Sequence, residues 1–222
     1  TKLPSLGHTT YDHLKKTFAL QAKGLILGGA DAFIVETSQD LLQTKAAING
    51  CRVAMVETDT RLPLFVEVTV ETTGTMLMGS EINAALTALE PLGIDMIGLN
   101  CATGPQEMSE HLRQLSQHAE IPVMVMPNAG LPVLTATGAS YPLSPEDLAT
   151  AHEQFVKEFG LSLVGGCCGT TPEHLGAVVK RLGGTAPKLR TPIPEHGVAS
   201  LYQHVSLSQD SAYLAIGERT NA

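Results

Sequence analysis

Two adjacent cysteines, Cys167 and Cys168, lie in the glycine-framed stretch VGGCCGTTPEHL. Neighbouring cysteines bond to each other poorly, because a disulfide needs Cα atoms more than about 4.4 Å apart and adjacent Cα atoms lie about 3.8 Å apart. Glycine adopts backbone angles that other residues avoid, so the glycines on both flanks allow both sulfurs to face one point. The pair is therefore expected either to bond to partners elsewhere in the chain or to bind something through two sulfurs.

A third cysteine, Cys101, ends a predicted strand two strand–helix units earlier. Three thiolates form a strong site for a soft metal in tetrahedral geometry, and zinc is the first choice. Three protein ligands leave the fourth position open, as in catalytic zinc sites. Thr171 caps the next predicted helix, whose positive end favours the thiolate form. The alternative is that the cysteines are small buried apolar residues, which is the role predicted for Cys51.

The composition excludes several classes of protein. The chain has 222 residues, 43% of them hydrophobic, without an apolar run long enough to span a membrane. Its formal net charge is −8, and no cluster of Lys and Arg indicates a nucleic-acid surface. Four cysteines without a signal-like start favour reduced thiols and a cytoplasmic protein. Because the chain does not begin with Met, we expect its N-terminus not to be native.

Helical and strand patterns alternate along the chain, and the strand segments are continuous apolar runs. Such runs are typical of parallel sheets covered on both faces. We expect one helix to end near Asn49 and Gly50, one to be capped by Ser80, and one to run from a Ser144 cap to Gly160. The five predicted strands are DAFIVET, LPLFVEVTV, DMIGLNC, IPVMVMPNAG and LSLVGGCC.

Polar residues fall at the ends of these strands. In a (β/α)8 barrel the C-terminal ends of all strands share one rim, whereas an open doubly wound sheet spreads them along a line. The shared rim favours a parallel (β/α)8 TIM-type barrel, which needs eight strands, whereas five are predicted here. The strand-end polar residues are Glu36, Thr37, Glu71, Thr72, Asn100, Cys101, Asn128, Cys167 and Cys168.

The composition and the hydrophobic periodicity of the sequence change after Gly184. We assign residues 1–184 to the domain that contains the five predicted strands. Residues 185–212 contain three prolines and no clear periodicity, which predicts a linker between domains. An apolar strand then begins at 213, and residues 213–222 are interpreted as the truncated start of a second domain.

Two single residues carry open alternatives, and a third has one expected position. Glu36 is either a site acid or a solvated carboxylate before a helix. Glu67 is either a buried acid inside the barrel or a residue beneath a helix. His174, in the first turn of a predicted helix, is expected to face solvent.

Three motifs, GLNCATGP, PNAGLP and GGCCGTTPEHL, resemble those of the homocysteine S-methyltransferase domain family over about residues 7–183. The tail YLAIGERTNA, residues 213–222, resembles the opening strand of the pterin-binding domain that follows in cobalamin-dependent methionine synthases. The order of the two resemblances is that of the multidomain enzymes. The first three strands of the family's barrel have no counterpart in this chain, so the resemblance implies a barrel truncated at its N-terminus to about the last five strand–helix units, with residues 1–184 as its C-terminal part.

The resemblance implies a (β/α)8 barrel in which Cys101, Cys167 and Cys168 bind zinc, and zinc binds the sulfur of homocysteine. It implies that Glu36 holds the substrate amino group and that Asn128 lies near the metal, as a possible fourth ligand when substrate is absent. Glu218 and Asn221 match the start of the pterin-binding domain. The methyl group would come from methylcobalamin on another domain of the polypeptide, and ultimately from 5-methyltetrahydrofolate, to give methionine.

Two alternatives remain open. One is a one-domain homocysteine S-methyltransferase that uses betaine or a sulfonium compound as methyl donor, against which the IGERTNA tail argues. The other is a non-catalytic zinc-binding or redox module built on the three cysteines.

Overall fold

A computed structural model describes residues 2–136 and 138–208, in which helices and strands alternate. No helix in these ranges is both long and apolar enough to cross a membrane. The tail with Glu218 and Asn221 lies outside the described residues. The helices are α1 (Tyr11–Leu27), α2 (Leu41–Glu57), α3 (Ile82–Leu89), α4 (Pro105–His118), α5 (Pro145–Gln154) and α6 (Pro172–Leu182). The strands are β1 (Phe33–Ser38), β2 (Leu64–Val68), β3 (Met96–Asn100), β4 (Val123–Met126), β5 (Val133–Thr135), β6 (Gly138–Ser140), β7 (Leu163–Val164), β8 (Gly197–Ala199) and β9 (His204–Ser206).

Five strands form one parallel sheet in the order β1-β2-β3-β4-β7. This confirms the predicted parallel α/β architecture. Within this sheet each strand pairs with the one of the five that follows it along the chain. The strand order therefore does not reverse at any point, whereas it does in a doubly wound sheet. All five C-terminal ends therefore follow one another along a single edge, with β1 and β7 at its two sides.

The two faces of the sheet differ. On one face Val66, Ile97 and Val125 belong to a large apolar core packed against the helices. Because side chains alternate along a strand, the neighbouring residues Glu67, Gly98, Asn100 and Met124 point to the opposite face, which we call the inner face. The inner face carries the polar residues that end the strands. The helix-side core holds the strands in place and therefore fixes the positions of these polar residues.

The prediction that α2 ends at Asn49 and Gly50 is wrong, since the helix continues to Glu57. Gly50 is instead a point of close helix packing. A Cβ at Gly50 would lie 2.7 Å from the Cβ of Phe18 and 2.8 Å from the carbonyl oxygen of Lys15, both in α1. The glycine is required by the neighbouring helix and does not end its own.

The predicted cap of α3 is also wrong, because Glu81 is the N-cap and not Ser80. The Ser80 hydroxyl donates a hydrogen bond to the carbonyl oxygen of Leu201 at 2.5 Å. This bond ties the start of α3 to a hairpin of β8 and β9, which lies within the stretch predicted as an irregular linker. Thr87 of α3 contacts His204 of β9 at 2.7 Å, so the hairpin packs on the helix.

The segment between β4 and α5 has a shape that the sequence did not indicate. It contains a short antiparallel hairpin of β5 and β6, whose described side chains are exposed. The Ser144 cap of α5 is confirmed, because its hydroxyl accepts a hydrogen bond from the Asp147 amide at 3.2 Å. A π-helical turn, Phe155–Phe159, follows α5 and ends at Gly160 in the left-handed conformation, as predicted for that glycine.

Candidate metal centre

The sulfurs of Cys101, Cys167 and Cys168 converge at the C-terminal edge of the sheet. The Cys101–Cys168 sulfur distance is 3.8 Å, the Cys167–Cys168 distance is 3.9 Å, and all three sulfurs lie within 4.8 Å of one another. Cys51 lies apart from them in the helix-side core, where burial raises the pKa of its thiol to about 11. The predicted convergence of three cysteines is confirmed.

The end of β4 holds this cluster from both sides. The amide of Cys101 donates to the carbonyl oxygen of Met126 at 3.1 Å, and the amide of Cys167 donates to that of Pro127 at 2.8 Å. The amide of Cys168 donates to Oδ1 of Asn128 at 3.1 Å. Cys101 after β3 and the cysteine pair after β7 are thus hydrogen-bonded to the strand that separates them.

Unusual backbone conformations are concentrated beside the cysteines. Thr37, Cys101 and Ala102 have φ values of 54°, 62° and 60°. A β-branched residue such as threonine rarely takes this left-handed region, and such conformations persist where surrounding contacts enforce them. The contacts that hold Thr37 in this conformation come from Asn100.

Asn100 is fully buried at the end of β3 and links two strands. Its Oδ1 accepts a hydrogen bond from the Thr37 amide at 2.8 Å. Its Nδ2 donates to the Thr37 hydroxyl at 2.9 Å and lies 3.9 Å from the sulfur of Cys167. Sequence reasoning placed Asn100 at a strand end but gave it no role. The signal available in the sequence was an amide side chain as the last residue of an otherwise apolar strand.

The thiols are difficult to ionise without a cation. Burial, followed by the neighbouring Cys101 and Cys168, raises the pKa of the Cys167 thiol to about 12. Burial likewise raises the pKa of Cys101. A divalent cation would remove this repulsion, because metal binding deprotonates a coordinating thiol. The cluster is also accessible, since Cys168 is exposed and the other two are half-buried. The donor set therefore fits zinc with an open coordination position.

The structure places the other predicted site residues at different distances from the cluster. Asn128 is buried and contacts Cys168 through its Oδ1. Glu36 lies on β1, where it is exposed and next to Thr37. Glu67 is fully buried on the inner face, where neither carboxyl oxygen has a hydrogen-bond partner.

Two residues behave differently from what the sequence indicated. His174 does not face solvent: it is 8% exposed, and its Nε2 contacts the carbonyl oxygen of Leu143 at 2.9 Å. Sequence reasoning missed Tyr141 altogether. Desolvation, followed by the nearby Cys168 thiol, raises the pKa of its phenol. Nothing in the local sequence around Tyr141 signals a site, because the link depends on how the segment after β6 folds back.

The family model for homocysteine S-methyltransferases matches residues 1–182. The chain belongs to the homocysteine S-methyltransferase family. The match includes all three clustered cysteines and the five strands of the parallel sheet.

Two mycobacterial proteins are similar to the whole chain. The methionine synthase of Mycobacterium tuberculosis is 61% identical over 222 residues, and that of Mycobacterium leprae is 60% identical over 227 residues. Both alignments cover 100% of this chain but only 19% of the relative. The chain thus spans a small part of the length of these relatives.

Solved structures of a more distant protein share the fold. The apo form of the homocysteine methyltransferase MmuM from Escherichia coli superposes with a TM-score of 0.61 at 20% identity, over 78% of this chain and 58% of that protein. Its metallated form gives a TM-score of 0.58 at 21% identity, over 75% of this chain and 52% of that protein. At this level of identity the likeness shows the fold alone.

Proposed function

We propose that this chain is the homocysteine-binding part of a cobalamin-dependent methionine synthase. It binds zinc through Cys101, Cys167 and Cys168 and presents homocysteine for methylation to methionine. The observation that carries the proposal is the convergence of three sulfurs from two separate strand ends within 4.8 Å. The family match supports the substrate class, and the similarity to two mycobacterial methionine synthases supports the type of enzyme.

A free thiol has a pKa of about 8.5 and is mostly protonated at neutral pH. Bound zinc would lower the pKa of the homocysteine thiol and so supply a thiolate nucleophile. Six residues of the chain would have a part in this chemistry. The three cysteines hold the metal, and Asn100 and Asn128 hold the cysteines through the contacts described above. Glu36, exposed beside Thr37, would hold the substrate ammonium group. Asn128 would also approach the open metal position when no substrate is bound.

We propose further that the five parallel strands are part of a (β/α)8 barrel. The strand order follows the chain without reversal, and the similar solved structure extends well beyond the region that superposes. The cobalamin and 5-methyltetrahydrofolate that supply the methyl group would be bound by other domains of the same polypeptide. Glu218 and Asn221 would belong to the pterin-binding domain. The four unpaired cysteines suit a reducing compartment such as the cytoplasm.

The test is Cys167→Ser in the intact enzyme, assayed in two half-reactions. We expect zinc to be lost together with methyl transfer from methylcobalamin to homocysteine. Methyl transfer from 5-methyltetrahydrofolate to cobalamin should continue, because it does not use the thiol site. Cys51→Ser is the matched control, since Cys51 lies in the helix-side core, and it should keep both zinc and transfer.

The same assay separates the alternatives. Equal loss of both half-reactions in Cys167→Ser would contradict the proposed division of labour. Wild-type activity with betaine or a sulfonium donor, but not with methylcobalamin, would identify a one-domain type of enzyme. Zinc that stays bound and unaffected by homocysteine, with no methyl transfer from any donor, would indicate a structural zinc module.

A further inference from the structure

A cavity of about 170 Å³ lies between α3, the end of α4 and the segment that leads into β8. It is found at the N-terminal edge of the sheet, since Glu120 lies just before β4, whereas the clustered cysteines lie at the C-terminal edge. Among the described residues, no lysine or arginine lines this cavity. The lining side chains that can offer an electron pair to a cation include Asn83, Glu90, His118, Glu120, Glu195 and His204.

The hydrogen bonds of His204 leave one of its ring nitrogens free. The Thr87 hydroxyl donates to the carbonyl oxygen of Asn83 at 2.8 Å, so its oxygen accepts in the 2.7 Å contact with Nδ1 of His204. Nδ1 therefore carries the ring proton, and Nε2 of the neutral ring has a free electron pair. The side chain of His204 is only 9% exposed, and its Nε2 is buried without a hydrogen-bond partner.

A carboxylate lies beside this free nitrogen. Oε2 of Glu195 is 3.9 Å from Nε2 of His204. Two electron-rich atoms at this distance repel each other unless a positive charge lies between them. Two ligand atoms of one tetrahedral zinc, each about 2.0–2.1 Å from the metal, lie roughly 3.4 Å apart. The side chain of Glu195 is 45% exposed, so it is free to make the small movement that this geometry needs.

Two more side chains offer acceptor atoms to the same cavity. Nδ1 of His118 contacts the carbonyl oxygen of Ile193 at 3.0 Å. Since a carbonyl oxygen only accepts, Nδ1 is the donor and Nε2 of this ring also keeps its electron pair. Oδ1 of Asn83 is buried without a hydrogen-bond partner. Metal-binding histidines are held in this way, with the second ring nitrogen donating to a neighbouring oxygen.

We propose that this cavity binds a divalent transition-metal ion of the zinc type through Nε2 of His204 and the carboxylate of Glu195. Nε2 of His118 and water complete the coordination. Imidazole nitrogen and carboxylate oxygen are both ligands that zinc accepts. The bound ion would fasten β9 and the segment before β8 to the end of α4. This site is separate from the three cysteines and does not depend on their proposed function.

The experiment measures zinc bound to the intact enzyme by atomic emission, after dialysis against a series of buffered Zn²⁺ concentrations. Glu195→Gln should bind one zinc ion fewer than wild type. Thr87→Ala should bind that ion about 10- to 100-fold more weakly, because Thr87 orients the His204 ring. The matched control is Thr17→Ala, whose hydroxyl makes the same kind of bond to the carbonyl oxygen of His13 within α1, and it should match wild type.

Two further measurements separate this site from the cysteines. Glu195→Gln should keep the zinc of the cysteines and the methyl transfer to homocysteine. The double variant Cys101→Ser and Cys167→Ser should keep the zinc of the cavity. Zinc X-ray absorption of this double variant should show nitrogen and oxygen ligands at about 2.0–2.1 Å, with the scattering pattern of imidazole.

Two results would overturn the proposal. One is a Glu195→Gln protein that binds as much zinc as wild type, and with the same affinity. The other is an X-ray absorption spectrum of the double variant that lacks imidazole, which would show that His204 does not bind the metal.

Discussion

The sulfurs of Cys101 and Cys168 lie 3.8 Å apart although 67 positions separate them in the chain. Cys101 follows β3 and Cys168 follows β7, and a third strand, β4, runs between these two in the sheet. Cys101 turns toward β4 through a left-handed backbone conformation, and the glycine-framed turn brings the cysteine pair from the other side. The cluster is therefore a product of strand order, which places three consecutive strand ends along one edge.

Asn100 should be required for tight metal binding. Asn100→Ala removes the contacts to Thr37 and Cys167 and leaves the Thr37 amide without the partner that Asn100 provides. We expect zinc affinity, measured by competition with a chelator, to fall by roughly 10- to 100-fold, as for the loss of other residues that hold metal ligands.

The control for this prediction is Asn49→Ala. The Asn49 amide donates to the Tyr11 hydroxyl at 2.7 Å between α1 and α2, so the substitution also removes a side-chain hydrogen bond but leaves the cysteines untouched. An equal loss of zinc affinity in both variants would mean that Asn100 acts through general stability.

The convergence of the three cysteines could be predicted from the sequence because local signals sufficed. A cysteine pair framed by glycines at a strand end is poorly suited to simple packing, and alternating apolar segments indicated that several strand ends share one edge. Ser144 and Gly160 were also recognisable, because capping chemistry acts within a few residues.

The features that the sequence did not predict depend on contacts distant in the chain. Gly50 has the local signature of a helix end, yet its smallness serves the approach of Phe18 in another helix. His174 lies in a polar first turn, yet it is buried and bonded to Leu143. Tyr141 reaches the cysteines only because the segment after β6 returns to the sheet. No local pattern contains this information.

Two glycines should respond oppositely to alanine. Gly98 lies on the inner face of β3, where a Cβ would overlap the backbone and side chain of Met124. Since β4 cannot move away without breaking the sheet, Gly98→Ala should destabilise the protein by about 1–3 kcal/mol. Gly176 lies in α6 with no atom within 4 Å of an added Cβ, so Gly176→Ala should stabilise it by about 0.5–1 kcal/mol. Urea unfolding measures both, and a stable Gly98→Ala protein would contradict the close approach.

His152 should make stability depend on pH on the acidic side. It is fully buried, its Nε2 bonds to the carbonyl oxygen of Gly165 at 2.7 Å, and burial lowers its pKa from 6.5 to about 4. The unfolded chain therefore binds more protons than the folded one between these values. The contribution is complete above pH 6.5 and is lost as the pH falls toward 4, by on the order of 3 kcal/mol.

The variant His152→Gln keeps a side-chain donor for Gly165 but does not titrate. Urea unfolding of metal-free protein between pH 7 and pH 4 should show a shallower loss of stability for this variant than for wild type. The exposed His13→Gln is the control and should follow the wild-type curve. Parallel curves for wild type and His152→Gln would show that His152 does not titrate in this range.

Glu67 should have the opposite pH dependence. Burial, followed by the charge of Glu36, raises its pKa from 4.5 to about 8, so the folded state binds more protons than the unfolded state between these values. Stability from this group is complete below pH 4.5, declines as the pH rises, and is lost above about pH 8, where an unpaired buried carboxylate costs on the order of 3–5 kcal/mol.

Glu67→Gln cannot ionise, so its stability relative to wild type should increase from pH 5 to pH 8 and then level off in urea unfolding. The control is Glu71→Gln, because Glu71 is half-buried and accepts a hydrogen bond from Gln39, and its curve should run parallel to wild type. A Glu67→Gln curve that is also parallel would show that Glu67 has a compensating partner and ionises normally.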